Sequence, residues 1–284
     1  MQEVNPKVVT EAAAKYAGIC LNWGNFYLNR KTYDQAMPAF ETVLQLRTDY
    51  PSIDRDRHLA EAYERLARAL IESDQDVEQG IEYVQKSLEL HPYQQPGLAL
   101  HTLALGYRQQ GQTIEAADAY LNLAREYTRW QEYTSALDAY QQAITLQPEI
   151  EENIASSEYA EVHYGLATYY LGQEKYEEAV REYEHAIKYG YNDADINAHW
   201  SHELARILLD QDIDIDKGVT YAQKSLEFDP DQDPEHAMDA LALGYIKQGR
   251  HAEAVQLLEQ ALEQFPDNKI LLERMQQAKE GLVE

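Results

Sequence analysis

Three segments of this chain recur later in the same order. The segment YAGICLNWGNFYLNRKTYDQAMPAF from Tyr16 returns as YAEVHYGLATYYLGQEKYEEAVREY from Tyr159. The segment LARALIESDQDVEQGIEYVQKSLEL from Leu66 returns from Leu204, and LALGYRQQGQTIEA returns as LALGYIKQGRHAEA. A finer repeat of roughly 34 residues lies within each copy. This repetition predicts a solenoid made by duplicating one three-repeat block, because each repeat needs neighbours to bury its apolar face.

The third repeat shows how each repeat is built. Leu100, Leu103, Ala104 and Tyr107 recur at the spacing of one helix face, and Gly111 follows where that helix is expected to end. A second apolar stripe comes after this glycine, at Ala116, Tyr120 and Leu123. The pattern predicts two amphipathic helices joined by a short turn, and therefore an all-α fold.

The order of residue types is more specific than the periodicity. A large residue is followed by Leu, a small residue, Tyr, a glycine turn, a small residue, an aromatic residue and finally Pro. This order resembles the tetratricopeptide repeat, with its W-x2-L-G-x2-Y, A-x3-F and terminal P pattern. The residues that carry it in the first repeat of each copy are Trp23, Gly24, Tyr27, Ala36 and Phe40, then Leu166, Ala167, Tyr170, Ala179 and Tyr183.

The resemblance implies a right-handed superhelix of antiparallel helix pairs with a C-terminal capping helix. We expect a first block of three repeats in residues 1–130, a connecting helix and hinge in 131–158, and a second block of three repeats plus the cap in 159–284. The hinge is predicted over 147–153, which contains a proline and three glutamates. A cap over 269–283 would cover the packing surface of the last repeat. Its apolar face is predicted to carry Leu271, Leu272, Met275 and Ala278.

One segment of the first copy fits two repeats. Residues 113–128 close the third repeat, but Tyr120 and Tyr127 also fit the opening helix of another. Tyr140 and Pro148 would complete that additional repeat. We therefore expect a single helix to serve two repeats.

The chain is strongly acidic, with 50 Asp and Glu against 24 Lys and Arg and a formal net charge of −26. Phosphate backbones and anionic lipid headgroups are bound through Lys and Arg, so this charge disfavours nucleic acid and membrane surfaces as partners. A protein or peptide partner with basic segments fits the charge better. The acidity could instead serve only to keep the chain in solution.

The sequence carries no recognisable targeting signal. Its first residues lack the basic stretch and apolar run of a signal peptide, and no run of about 18 apolar residues predicts a membrane span. The single cysteine, Cys20, lies in a helical packing stripe and is predicted to be a buried, inert thiol. These features predict a cytoplasmic protein.

The acidic run at residues 210–216 resembles the start of an EF-hand calcium loop. Such a loop needs Gly at its sixth place and Glu at its twelfth, but these places hold Ile215 and Tyr221. We interpret the run as a solvated turn that caps the next helix, since acidic side chains favour a helix N-terminus.

Three histidines are the remaining candidate metal ligands. His199 and His202 lie on one predicted helix, and His236 lies on the next opening helix. Their order, His-x-x-His-Glu, is not the His-Glu-x-x-His of metalloproteases, and no C-x-x-C motif accompanies it. No metal or cofactor is predicted. Because nucleotide-binding and hydrolase motifs are also missing from the sequence, the chain is predicted not to be an enzyme.

In the tetratricopeptide repeat family, the opening helices line a concave groove. Asn22, Asn25 and Asn29 share one predicted helix face, and a row of amides can hold an extended peptide backbone. Asn25 matches one residue of the clamp by which some relatives bind chaperone tails, but Leu21 replaces the preceding Lys. The predicted partner-binding residues are Asn22, Asn25, Asn29, Arg65, Arg68, His101, Arg108, Tyr164, Thr168, His202, Arg206 and Lys247.

Arg68, Arg108 and Arg206 stand out in this groove because the chain is acidic. Each could pair with a ligand carboxylate or neutralise a neighbouring acidic side chain. We predict a non-catalytic scaffold that captures an extended segment or a helix of a partner protein. The alternatives are a regulatory subunit or domain that controls an attached enzyme, hinged at 147–153, and a small-ligand or metal sensor at His199, His202 and His236.

Overall fold

The chain divides into two compact units, Met1–Glu151 and Glu152–Glu284. The computed structural model describes residues 6–49, 55–90, 97–150, 156–190, 194–228 and 234–282. Every regular element in these described residues is an α-helix, which confirms the predicted all-α class. The hinge predicted over 147–153 lies partly outside the described residues, and the predicted domain boundaries stay predictions.

Each unit is a sequential stack of helices, seven in the described part of each. The first unit contains α1 (Pro6–Leu28), α2 (Tyr33–Asp49), α3 (Arg55–Glu72), α4 (Val77–Leu90), α5 (Gly97–Gln109), α6 (Thr113–Arg129) and α7 (Tyr133–Leu146). The second unit contains α8 (Ser156–Leu171), α9 (Tyr176–Tyr189), α10 (Ala194–Asp210), α11 (Ile215–Phe228), α12 (Pro234–Lys247), α13 (His251–Gln264) and α14 (Lys269–Glu280).

Tight turns join the two helices of each pair. In the third repeat, the backbone N–H of Gln112 donates to the carbonyl of Tyr107 at 2.9 Å, which closes the end of α5. Turns this short make the paired helices antiparallel. One residue per turn has positive φ, and only two of these residues are glycine. They are Lys31, Asp74, Gly111, Gln131, Glu174, Asp212 and Gly249.

Small residues allow the helices of a pair to cross closely, as the sequence predicts. In the first repeat this residue is Gly24, where an added Cβ would overlap the ring of Phe40. In the later repeats it is a fully buried alanine. These alanines are Ala67, Ala104, Ala167, Ala205 and Ala242.

Helix α6 packs against both α5 and α7. Its Tyr120 is 3% exposed, and Tyr140 of α7 is fully buried. The helix therefore closes one repeat and opens the next, as predicted for residues 113–128.

Helix α14 covers the last pair, as expected of a cap. Asn268 begins it by accepting hydrogen bonds from the backbone N–H groups of Ile270 and Leu271, at 3.0 and 3.3 Å. Leu271, Met275 and Ala278 are buried. The prediction that Leu272 shares this face is wrong, because its side chain is 46% exposed and lies about 100° around the helix from Leu271.

Two further predictions can be compared with the structure. Cys20 is buried, as predicted. Across the described part of the chain, no helix combines the length and apolarity that a membrane span requires.

Candidate functional site

The first unit contains an open groove of about 580 Å³ between α5, α6 and α7. Two of the predicted site residues, His101 and Arg108, line it. Its apolar lining is Leu105, Leu123 and Ala139. The other polar lining residues are Tyr120, Tyr127, Thr134, Ser135, Asp138 and Gln142.

Arg108 carries the available positive charge of this groove. It is exposed, and it forms no ion pair within the described residues. Asp138, on the opposite wall, is likewise exposed and unpaired in the described part of the chain. Burial, followed by the charges of Arg68 and Arg108, lowers the pKa of His101, so its imidazole is neutral near pH 7. The groove therefore offers one cation and one anion beside an apolar surface.

The other two predicted arginines are already paired. Arg68 Nε lies 2.7 Å from Glu72 Oε1 on the same helix, and the Tyr33 hydroxyl donates to the other oxygen of Glu72 at 3.1 Å. Arg206 Nη2 lies 3.4 Å from Asp210 Oδ2. The sequence left open whether these arginines pair with a ligand carboxylate or with a neighbouring acid. In the structure both arginines pair with a neighbouring acidic side chain.

Arg65 neighbours a buried carboxyl group that the sequence did not single out. Its Nε lies 3.2 Å from Glu64 Oε2, and Glu64 is 6% exposed. Burial raises the pKa of Glu64 to about 7, although the nearby charges of Arg65 and Arg68 favour its ionised form. Arg65 is therefore tied to the packing of α3 and is not a free groove cation.

The three asparagines lie at the carboxyl end of α1 and in the turn that follows. Asn22 and Asn29 are exposed, and Asn25 is half-buried with its Oδ1 lacking a partner among the described residues. The exposed amides of Asn22 and Asn29 are accessible to a peptide backbone.

The predicted site residues of α8 are engaged within the second unit. Tyr164 stacks on Trp200 with ring centroids 5.2 Å apart, and meets Tyr183 edge-on at 5.9 Å. The Thr168 hydroxyl donates to the carbonyl of Gly165 at 2.9 Å. The side chain of Tyr164 is therefore used in packing within the second unit, and the hydroxyl of Thr168 is used in a hydrogen bond to its own helix backbone.

The second unit has a smaller cavity of about 220 Å³ between α10, α12 and α14. His202 and His236 line it with ring centroids 5.9 Å apart. Burial and the charge of Arg206 lower the pKa of His202 to about 4. Asp239 and Arg274 are locked together through bonds of 2.7 and 3.0 Å. Most of the charge in this cavity is therefore already paired.

The metal alternative gains no support from the geometry. Among the described residues, no three His, Cys, Asp or Glu side chains are placed to hold a metal ion. Lys247, the last predicted site residue, pairs with Asp212 of the acidic run at 2.5 Å. Asp214 of the same run accepts from the backbone N–H of Lys217 at 2.9 Å, which agrees with a helix-capping turn.

Comparisons with known families agree with this architecture. Models of the tetratricopeptide repeat match residues 117–150, 164–233 and 234–278, which together make up about half of the chain. The first range coincides with α6 and α7, and so supports the shared helix. The chain belongs to the tetratricopeptide repeat family. No curated protein matches it in sequence.

Several solved structures resemble the chain at low identity. The TPR2AB domain in the pHSP90 complex of yeast Sti1 is 16% identical, with 94% of this chain and 99% of that chain covered and a TM-score of 0.38. Yeast Tom70 is 17% identical over 88% and 60%, with a TM-score of 0.37. Pseudomonas aeruginosa pilF is 15% identical over 92% and 97%, with a TM-score of 0.34.

Proposed function

We propose that the chain is a non-catalytic scaffold that binds a partner protein in the groove between α5, α6 and α7. The observation that carries the proposal is Arg108, a groove cation without an ion pair in the described residues. An unpaired guanidinium beside an apolar wall can bind a carboxylate through two parallel hydrogen bonds.

The groove also constrains the chemistry of the partner segment. Arg108 binds an acidic group of the partner segment, and Asp138 binds a basic side chain of the same segment. An apolar side chain of the segment packs against the apolar lining of the groove, which is Leu105, Leu123 and Ala139. The half-exposed Tyr127 supplies a ring with a polar end, a residue type that is common in protein interfaces. An extended segment with an acid, an apolar residue and a base satisfies all three features, and its base agrees with the basic partners that the net charge favours.

Affinity capture with a charge-reversed groove tests this proposal. The chain is immobilised and incubated with an extract of its native host, and captured proteins are quantified by mass spectrometry. Arg108→Glu should remove the specific partner, because it replaces the cation by a repelling charge. Arg181→Glu is the matched control, since Arg181 is an exposed arginine of α9 outside both cavities.

The comparison of the two variants decides the result. If Arg108→Glu loses a protein that Arg181→Glu retains, and both variants melt like the parent, the groove binds that protein. If both variants capture the same proteins as the parent, the groove is not the binding site. The predicted cytoplasmic location belongs to the same proposal, and fractionation of the native host tests it.

A further inference from the structure

Helix α1 exposes a continuous apolar stripe. Its members recur every three or four residues and so share one helix face. In a soluble chain, an exposed patch of this kind marks an interaction surface. The stripe consists of Tyr16 (53% exposed), Ile19 (53%), Trp23 (60%) and Phe26 (51%).

The internal duplication shows that three of these positions form a packing face, whereas the counterpart of Phe26, Tyr169, is 59% exposed. Tyr16, Ile19 and Trp23 correspond to three residues of α8 in the second copy. Those three are buried, with exposures of 7%, 0% and 3%, and they are Tyr159, Val162 and Leu166. Trp23 also occupies the Leu position of the repeat pattern, and Leu66, Leu204 and Leu241 at the same position are buried. The part of the stripe formed by Tyr16, Ile19 and Trp23 is therefore a packing face without a cover in the described residues.

Its aromatic residues are already held in place. Trp23 and Phe26 meet the ring of Tyr27 edge-on, at 6.1 and 5.3 Å. The guanidinium of Arg30 lies 3.7 Å over the ring of Phe26. A surface that is ordered before binding loses little entropy on association.

The cap at the other end of the chain does not match this stripe. On α14 the face opposite the buried Leu271 is polar, so it offers no apolar counterpart to Trp23. Ile270 and Leu272 are exposed, but they lie on opposite flanks of the helix and form no stripe. The exposed polar residues of α14 are Lys269, Glu273, Gln276, Gln277, Lys279 and Glu280.

We propose that the stripe on α1 binds the same stripe of a second copy of this chain, forming a closed two-fold dimer. Three half-exposed rings and the half-exposed side chain of Ile19 offer roughly 500 Å² per copy. Two copies then bury about 1,000 Å², which is the lower limit of a specific interface. A two-fold contact uses the same patch on both copies and leaves no open end.

The spacing of the stripe fixes its register in an antiparallel contact. With the two-fold axis midway between Ile19 and Trp23, Ile19 lies against Trp23 of the other copy. The same arrangement places Tyr16 against Phe26 of the other copy. Each contact thus pairs an aromatic ring with an aliphatic or aromatic partner, as close packing requires.

Sedimentation equilibrium tests the dimer directly. The parent should dimerise reversibly at concentrations of about 100 µM, and its dissociation constant should fall as salt rises. Salt screens the repulsion between two chains of net charge −26 but leaves apolar contacts in place. Trp23→Glu should weaken the dimer by about 10-fold or more, because it places a charge at the centre of the interface.

Trp130→Glu is the matched control, because Trp130 is 56% exposed at the end of α6. It should dimerise like the parent. A parent that stays monomeric at about 100 µM in high salt, or equal weakening by both variants, overturns the proposal. Growth beyond the dimer with rising concentration also overturns it, since it indicates an open-ended contact. Circular dichroism melts verify that both variants are folded.

Discussion

The hydroxyl of Ser87 donates a hydrogen bond of 2.7 Å to the carbonyl oxygen of Ala60, which lies 27 residues earlier on the neighbouring helix. Ser225 makes the same bond to Ala198, at 2.8 Å and the same separation. Both serines are buried. The duplication visible in the sequence is therefore preserved in individual buried hydrogen bonds.

These bonds give a first prediction. Ser87→Ala should lower the free energy of unfolding by about 1 kcal/mol, because it removes one buried hydrogen bond and leaves the hydroxyl site empty. Ser225→Ala should cost a similar amount. Thr145→Ala is the control, since Thr145 is exposed and bonds only within its own helix. Urea denaturation measures all three, and a Thr145→Ala cost as large as that of Ser87→Ala would contradict the assignment.

Two glycines of α1 should respond in opposite directions to alanine. A Cβ at Gly24 meets the buried ring of Phe40, whereas a Cβ at Gly18 meets nothing within 4 Å. Gly24→Ala should destabilise the chain by about 1–3 kcal/mol through overpacking. Gly18→Ala should stabilise it by about 0.5–1 kcal/mol through helix propensity. Thermal unfolding of the pair checks this, and a shift of the same sign in both would count against the close crossing at Gly24.

The buried carboxyl of Glu64 should make stability depend on pH. Burial raises the folded pKa of Glu64 to about 7, above the 4.5 of an unperturbed glutamate, so the native state holds a proton that the unfolded state releases. This contribution is full below pH 4.5 and is lost as pH rises through about 7. Glu64→Gln should therefore be more stable than the parent at pH 8, by about 2 kcal/mol, and close to it at pH 4.5.

Denaturant titrations at the two pH values measure this difference. Glu61→Gln is the control, because Glu61 lies on the same helix and is more exposed. An unchanged pH dependence in Glu64→Gln would show that Glu64 does not titrate in this range.

The pair between Arg274 and Asp239 should fasten the cap to α12. Arg274→Ala should cost about 2–3 kcal/mol of unfolding free energy, because it leaves a half-buried carboxylate without its partner. Arg250 forms a similar two-bond pair with Glu253, at 2.7 and 2.6 Å, but these side chains are more exposed, at 39% and 53%. Arg250→Ala should leave the melting midpoint nearly unchanged. Equal effects of the two substitutions would remove the special role of the Arg274 pair.

The repeats themselves were predictable from the sequence, because periodic apolar residues and small crossing residues depend on neighbours a few positions away. Ala104, Gly111 and Tyr120 are examples. The groove was predictable only in part. His101 and Arg108 were predicted as groove residues because they lie on an opening helix. Asp138 and Tyr127 line the groove only because α6 is shared by two repeats.

Side-chain pairing was the least predictable feature. Glu72 forms an ion pair with Arg68, and Asp239 forms one with Arg274, which lies 35 residues away in the sequence. The exposure of Trp23 was also hidden, since the same pattern position is buried in α8. Such outcomes depend on which helix lies alongside, and local periodicity does not specify it.

Site-specific photo-crosslinking tests the central claim, that the groove between α5, α6 and α7 holds the partner. A photoreactive amino acid is placed at Gln142, which lines the groove, and separately at its exposed neighbour Gln141, which does not. After irradiation in extracts of the native host, Gln142 should give a discrete adduct that Arg108→Glu abolishes, and Gln141 should give none. Adducts of equal yield from both positions, or from Gln141 alone, would contradict the account.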